Sequence, residues 1–138
     1  MSPSFTKLLE QLDLRPAASA DAINILVDYV KGHFRVPPPA DYLEFLRLSN
    51  GGIGHGPNLY VNLGSAKEVP QITEGYRALR FAPGLLIIGG DGLGNIIGID
   101  IRNHRHIKYV WLDPVSIDWE SINYSAQSLH EMLAFLDK

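Results

Sequence analysis

The 138-residue chain contains no cysteine, which removes disulfide frameworks, thiolate metal sites and cysteine nucleophiles together and is compatible with a reducing cytoplasm. It has no run near the ~20 apolar residues that span a bilayer, and its start, Met1 to Lys7, lacks a charged region followed by a long apolar stretch. A soluble, unexported, cytoplasmic protein with no membrane partner is expected. Positive charge is not in excess either: 12 Lys and Arg against 15 Asp and Glu leave a formal net charge of -3 and a pI near 5.9. Nucleic acid is therefore not an expected partner. Repeats, low-complexity tracts and linkers are missing, and the length is the common size for one domain, 1–138, able to bury roughly two-thirds of its unfolded surface in a single core.

Signatures of chemistry are also lacking. Among His33, His55, His104, His106 and His130, only His104 and His106 are spaced to bring two imidazoles together, in or beside a turn, and no third ligand follows at metal-site spacing. No serine stands in a Gly-x-Ser-x-Gly elbow. Asp91, Asp100, Asp113, Asp118 and Glu120 are numerous enough to pair by chance, but no spacing marks an acid and a base among them. Neither metal nor cofactor is expected, and the chain does not read as an enzyme.

What is present centres on residues 85–101. Leu85 to Ile88 is short, branched and bounded by Pro83-Gly84 and by glycines, which predicts a buried strand. Asn95 to Ile101 predicts a second, with Ile97, Ile99 and Ile101 on a core face and Ile96, Gly98 and Asp100 on the other. Between them Gly89-Gly90-Asp91-Gly92-Leu93-Gly94 lacks the lysine and hydroxyl of a phosphate loop and opens a strand rather than a helix. It also lacks the oxygen spacing of a calcium loop. It is expected to be a tight strand connection in which Gly90, Gly92 and Gly94 need positive φ.

Taken in order, Phe5, Leu8, Leu9 and Leu12 predict a helix from about Ser4 to Asp13, ended by Arg15-Pro16. Ile23, Leu26, Val27 and Val30 predict a second, capped by Ser19 or Asp21 and closed by Gly32. A third enters through Pro37-Pro38-Pro39, buries Tyr42, Phe45 and Leu46, carries Asp41 in its first turn, and leaves through Asn50-Gly51. Residues 51–57 read as a loop, 58–63 as a strand, and a helix is expected from about Pro70 through Ile72, Tyr76 and Leu79. Arg102 to Arg105 is a turn and His106 to Leu112 a third, antiparallel strand. Ser128 and Glu131 form a capping box for a last helix whose Leu129, Met132, Leu133 and Leu136 face the core.

The proline-entered helix ending in Asn50-Gly51-Gly52, the strand, glycine turn and strand ending in Ile99-Asp100, and the closing amphipathic helix together resemble the SUKH superfamily, bacterial immunity proteins related to yeast regulators of cell-wall synthesis. The likeness runs from about residue 20, leaving 1–18 as a possible extra N-terminal helix. It implies an α+β domain with a central antiparallel sheet flanked by helices, in which Pro39, Tyr42, Phe45, Asn50, Gly51, Gly89, Gly92, Gly94 and Asp100 define the fold. It also implies binding rather than catalysis. The implied partner is a protein, a cognate toxin domain such as a nuclease; the alternative is a regulatory adaptor like the fungal relatives. Tyr60, Asp91, Trp111 and Trp119 are the candidate partner-binding residues. The sequence does not set the oligomeric state.

Overall fold

The computed structural model describes residues 3–137. They form six α-helices and one sheet of seven strands, all antiparallel and in chain order. The elements run α1 (Pro3–Leu9), β1 (Asp13–Leu14), α2 (Ala20–Phe34), α3 (Ala40–Leu48), β2 (Gly52–His55), β3 (Tyr60–Leu63), α4 (Glu68–Gly75), α5 (Ala78–Phe81), β4 (Leu85–Gly90), β5 (Ile96–Asp100), β6 (Lys108–Leu112), β7 (Ile122–Ala126) and α6 (Leu129–Leu136). The expected α+β architecture is the one observed.

Several boundaries differ from the sequence reading. The first helix stops at Leu9, because i to i+3 bonds tighten its end and Asp13-Leu14 leaves to pair with Ile53 and Gly52. Gly32 does not close α2. Its side faces open space, so the helix runs on to Phe34 and ends where Arg35 turns left-handed (φ 65) before the restrictive Val36-Pro37 pair. Ser19 is the N-cap, accepting from Ala22 N–H at 3.1 Å. Residues 52–55 are a strand rather than a loop: Gly54 lets the chain approach Leu59, whose carbonyl oxygen would lie 2.7 Å from an added Cβ. Helix α4 starts two residues before Pro70, which sits in the first turn where no amide is required of it. Arg77, left-handed at φ 57, then breaks the helix short of Leu79. Gly51 does turn left-handed (φ 88), though only after Ser49 has already gone extended.

The largest correction concerns β5, which is buried on both faces. Alternate residues Val61, Leu63, Leu86, Ile88, Ile97, Ile99 and Tyr109 meet α1, α2, α3 and α6 in the larger core. The others, Leu85, Ile87, Ile96, Val110 and Leu112, meet Ala78 and Ala82 at α5, with Ile72, Ile117 and Trp119 at the margin. Both faces are covered, so the central strands read as continuous apolar runs. β3 pairs with β4 only at Asn62–Gly90 and Leu63–Gly89. Beyond that point Thr73 of α4 takes over: its buried hydroxyl accepts from Ile87 N–H at 2.9 Å and donates to Ile87 C=O at 3.3 Å.

Candidate functional site

The turn between β4 and β5 depends on glycine for two separate reasons. Gly92 (φ 72) and Gly94 (φ 109) occupy left-handed conformations that a side chain resists. Gly89 is needed for close approach, since a Cβ there would lie 2.0 Å from the Asn62 carbonyl oxygen of β3. Gly90, expected at positive φ, is not in that region; it packs where an added Cβ would meet the Asn95 carbonyl oxygen at 2.9 Å.

Asp91 organises the turn from inside. Its Oδ1 accepts the backbone amides of Leu93 (2.8 Å) and Asn95 (3.0 Å), while its Oδ2 accepts Asn95 Nδ2 (3.0 Å) and Trp111 Nε1 (2.9 Å). Burial opposes ionisation of this carboxyl, but the hydrogen bonds from Asn95, Leu93 and Trp111 outweigh it and hold the group below the usual aspartate range. With four donors on two oxygens, the carboxylate is committed to the turn. It has little capacity left to accept a proton from a substrate.

The folded turn separates two concavities. On the α6 side, Tyr60, Asp91, Leu93, Trp111, Phe135 and Leu136 line a cleft of about 50 Å³. Phe135 stacks on Tyr124 with ring centroids 3.8 Å apart and meets Trp111 edge-on at 5.3 Å. Trp111 and Tyr124 are themselves cross-strand partners on β6 and β7. The rim is apolar and open: Leu93 is 62% exposed, and Tyr60 and Phe135 each 38%. On the α4 side lies an open groove of about 510 Å³ with Gly64, Gly89, Gly90 and Gly94 against Ile72 and Tyr76.

Tyr60, Asp91 and Trp111 are thus brought together with Gly89, Gly92 and Gly94. Trp119 is not. Its Nε1 donates to the Pro83 carbonyl at 3.0 Å, and the Arg102 guanidinium lies 3.6 Å over its ring. Arg102 in turn grips Asp100 through two bonds of 3.1 and 2.9 Å, so Asp100 anchors a stack away from the turn. Leu93 and Phe135 join the site unannounced by the sequence reading. The signals were there: Leu93 is the one apolar residue among the glycines, and Phe135 falls outside the Leu129, Met132, Leu133, Leu136 stripe.

Pro39, Tyr42, Phe45, Asn50 and Gly51 lie elsewhere: Pro39 is the N-cap of α3, and Gly51 is left-handed. Tyr42 and Phe45 are buried, and Asn50 Oδ1 accepts from Ala66 N–H at 2.8 Å. Among the described residues no group of three or more His, Asp or Glu is placed to hold a metal ion, and no helix is long and apolar enough to cross a membrane.

No curated protein matches the chain. A family model does, over residues 32–134, a span that begins within α2 and takes in α3, the whole glycine turn, the aromatic strands β6 and β7 and most of α6. The chain belongs to the SMI1/KNR4 family (SUKH-1).

Proposed function

We propose that the protein is a non-enzymatic binding module, an immunity protein that neutralises a toxin domain by occupying its surface in a stoichiometric complex. The observation that carries this reading is the cleft beside the glycine turn. Its aromatic walls are held rigidly by stacking and by the Trp111–Asp91 bond, and its rim presents Tyr60, Leu93 and Phe135 to solvent. Rigid aromatic side chains with little entropy left to lose are the usual anchors of protein interfaces. The one carboxylate in the cleft is already saturated by turn donors, so the site offers surface and shape rather than an acid or a base. Family membership supports the same reading, and the net charge of -3 suits a basic nuclease surface.

The experiment is co-expression with the toxin domain encoded by the neighbouring gene. Rescue of growth and a one-to-one complex are expected, with binding weakened about tenfold or more by Tyr60→Ala and by Leu93→Asp. One molecule of this protein inactivating many toxin molecules, or the lack of any complex with a neighbouring toxin, sinks the immunity reading and moves the regulatory adaptor ahead.

A further inference from the structure

We propose that the turn joining β5 to β6 is a second docking surface, one that receives an acidic segment of a protein. Residues 102–108 hold Arg102, Arg105 and Lys108, three of the 12 Lys and Arg of the chain, together with His104 and His106. They contain no Asp or Glu, although the chain as a whole carries a net charge of -3. Asn103 folds the turn: its Oδ1 accepts Arg105 N–H at 3.0 Å and its carbonyl accepts His106 N–H at 2.9 Å. Residues 102–106 and Lys108 are all exposed. Arg105 and Lys108 make no ion pair among the described residues.

One of these cations is held ready. Arg102 donates from Nε and Nη2 to the two Asp100 oxygens, and its guanidinium lies 3.6 Å over the Trp119 ring, itself tied through Nε1 to the Pro83 carbonyl. The fork is fixed in orientation, its side chain is 50% exposed, and its remaining N–H groups are not taken by Asp100. Asp100 faces Lys108 across the β5–β6 pair, and both line a hollow of about 360 Å³ with Arg102, Asn103 and His106. Both Asp100 oxygens bond Arg102, so Lys108 and Arg105 are positive charge in surplus, and complementarity calls for an anionic partner.

The placement of the donors selects carboxylates on a chain. The main-chain amides of Arg102, Arg105 and His106 are already bonded to Asp100 and Asn103, so recognition falls to long side chains rather than to the amide cradle of a phosphate site. His104 and Arg105 stand outside the hollow, so the donors continue along the turn, as successive acidic side chains require. Three cations on one turn of a net-negative chain are too few to follow a nucleic-acid backbone. The turn exposes no large apolar side chain that could enter a membrane. The glycine turn precedes β5 and this turn follows it, so the surface lies at the other end of the strand from the Tyr60–Trp111 cleft and shares no residue with it. An acidic segment bound here is independent of what fills the cleft.

Titration of the isotope-labelled chain with hexaglutamate, followed by amide chemical shifts at about 0.01 M ionic strength where screening is weak, tests this. Saturable shifts centred on residues 100–108 and on Trp119 Nε1–H are expected, and they should vanish near about 1 M salt. Arg105→Glu combined with Lys108→Glu, both at exposed positions and so expected to melt as wild type does, should weaken binding about tenfold. Lys31→Glu combined with Lys67→Glu changes the net charge as much at exposed positions outside the turn, and should leave binding within about twofold. No saturable binding, shifts centred on other cations, or an equal loss in the two double variants overturns the proposal. Tighter binding of inorganic phosphate or of hexathymidylate in the same titration overturns it as well, because the surface would then read phosphate rather than carboxylate.

Discussion

Asp91 shows how one side chain sets local structure and readies a surface. Asp91→Asn keeps the shape but places an amide among four donors, so a loss of about 2 kcal/mol is expected in urea unfolding, with partner binding weakened because Trp111 loses its tether. The depressed pKa of Asp91 means that its contribution is present above the ordinary aspartate value and disappears as pH falls through the lower folded value. Stability should therefore drop in acid below about pH 4, and the Asp91→Asn variant should show a shallower drop. At the alkaline end, burial pushes the hydroxyls of Tyr42 and Tyr109 upward, the latter also through Asp41. A raised folded value protects below the unfolded one, so stability should fall as pH climbs past the ordinary tyrosine value of 10.0. Glycine roles separate by mechanism. Gly94→Val should cost on the order of 1 to 3 kcal/mol from backbone strain alone, since no atom lies near its added Cβ. Gly89→Ala should cost at least as much by prising β3 from β4. If Gly92→Val and Gly94→Val both melt like wild type, the turn has been misread.

Elements were legible where a repeat period or a cap sufficed and obscure where tertiary pairing decided. The last helix announced itself: Ser128 Oγ accepts from Glu131 N–H at 3.0 Å, as the capping box predicts, although the glutamate returns its bond to Gln127 N–H at 2.7 Å rather than to Ser128. By contrast β1 has two residues and β2 is half glycine, so neither carries an alternation of useful length. β7 alternates, but Asn123 is the extra residue of a bulge and cuts the pattern short. The two-faced burial of β5 was hidden because the small core on its second face is assembled from a four-residue helix with no detectable period, α5, and from scattered residues such as Ile72, Ile117 and Trp119. Links between elements are the least visible from sequence. Asp41, read as a helper of its own helix, instead accepts Tyr109 Oη–H at 2.7 Å and Leu129 N–H at 2.9 Å, tying α3 to β6 and to the start of α6. Thr73 stands in for a missing stretch of strand. Thr73→Val preserves volume but strands both backbone groups of Ile87, and a loss of about 1 to 3 kcal/mol is expected in chemical denaturation. A neutral outcome would mean that α4 holds β4 by apolar contact alone.

For the molecule as a whole, the site proved partly legible: Tyr60, Asp91 and Trp111 converge because three separate strands end at the glycine turn, whereas Trp119, chosen on residue type alone, belongs to the Asp100–Arg102 stack. Residue type nominates an anchor, but only the fold shows which anchors share a surface. Leu93→Asp is expected to weaken toxin binding about tenfold or more while leaving the melting temperature unchanged, because Leu93 is 62% exposed. Loss of both binding and melting temperature would mean that Leu93 supports the fold rather than a docking surface. Electrostatics offers an independent check on the partner. The chain carries a net charge of -3, and a basic toxin surface should be drawn to it over distances that salt screens, so the association rate should fall steeply with ionic strength. The dissociation rate should respond little to salt and strongly to Tyr60→Ala, because it reports on contacts already desolvated. Stopped-flow measurement at two salt concentrations distinguishes these. An association rate indifferent to salt would argue for a partner without a basic face, and would remove the nuclease from the candidates while leaving the aromatic cleft as the proposed docking surface for another protein.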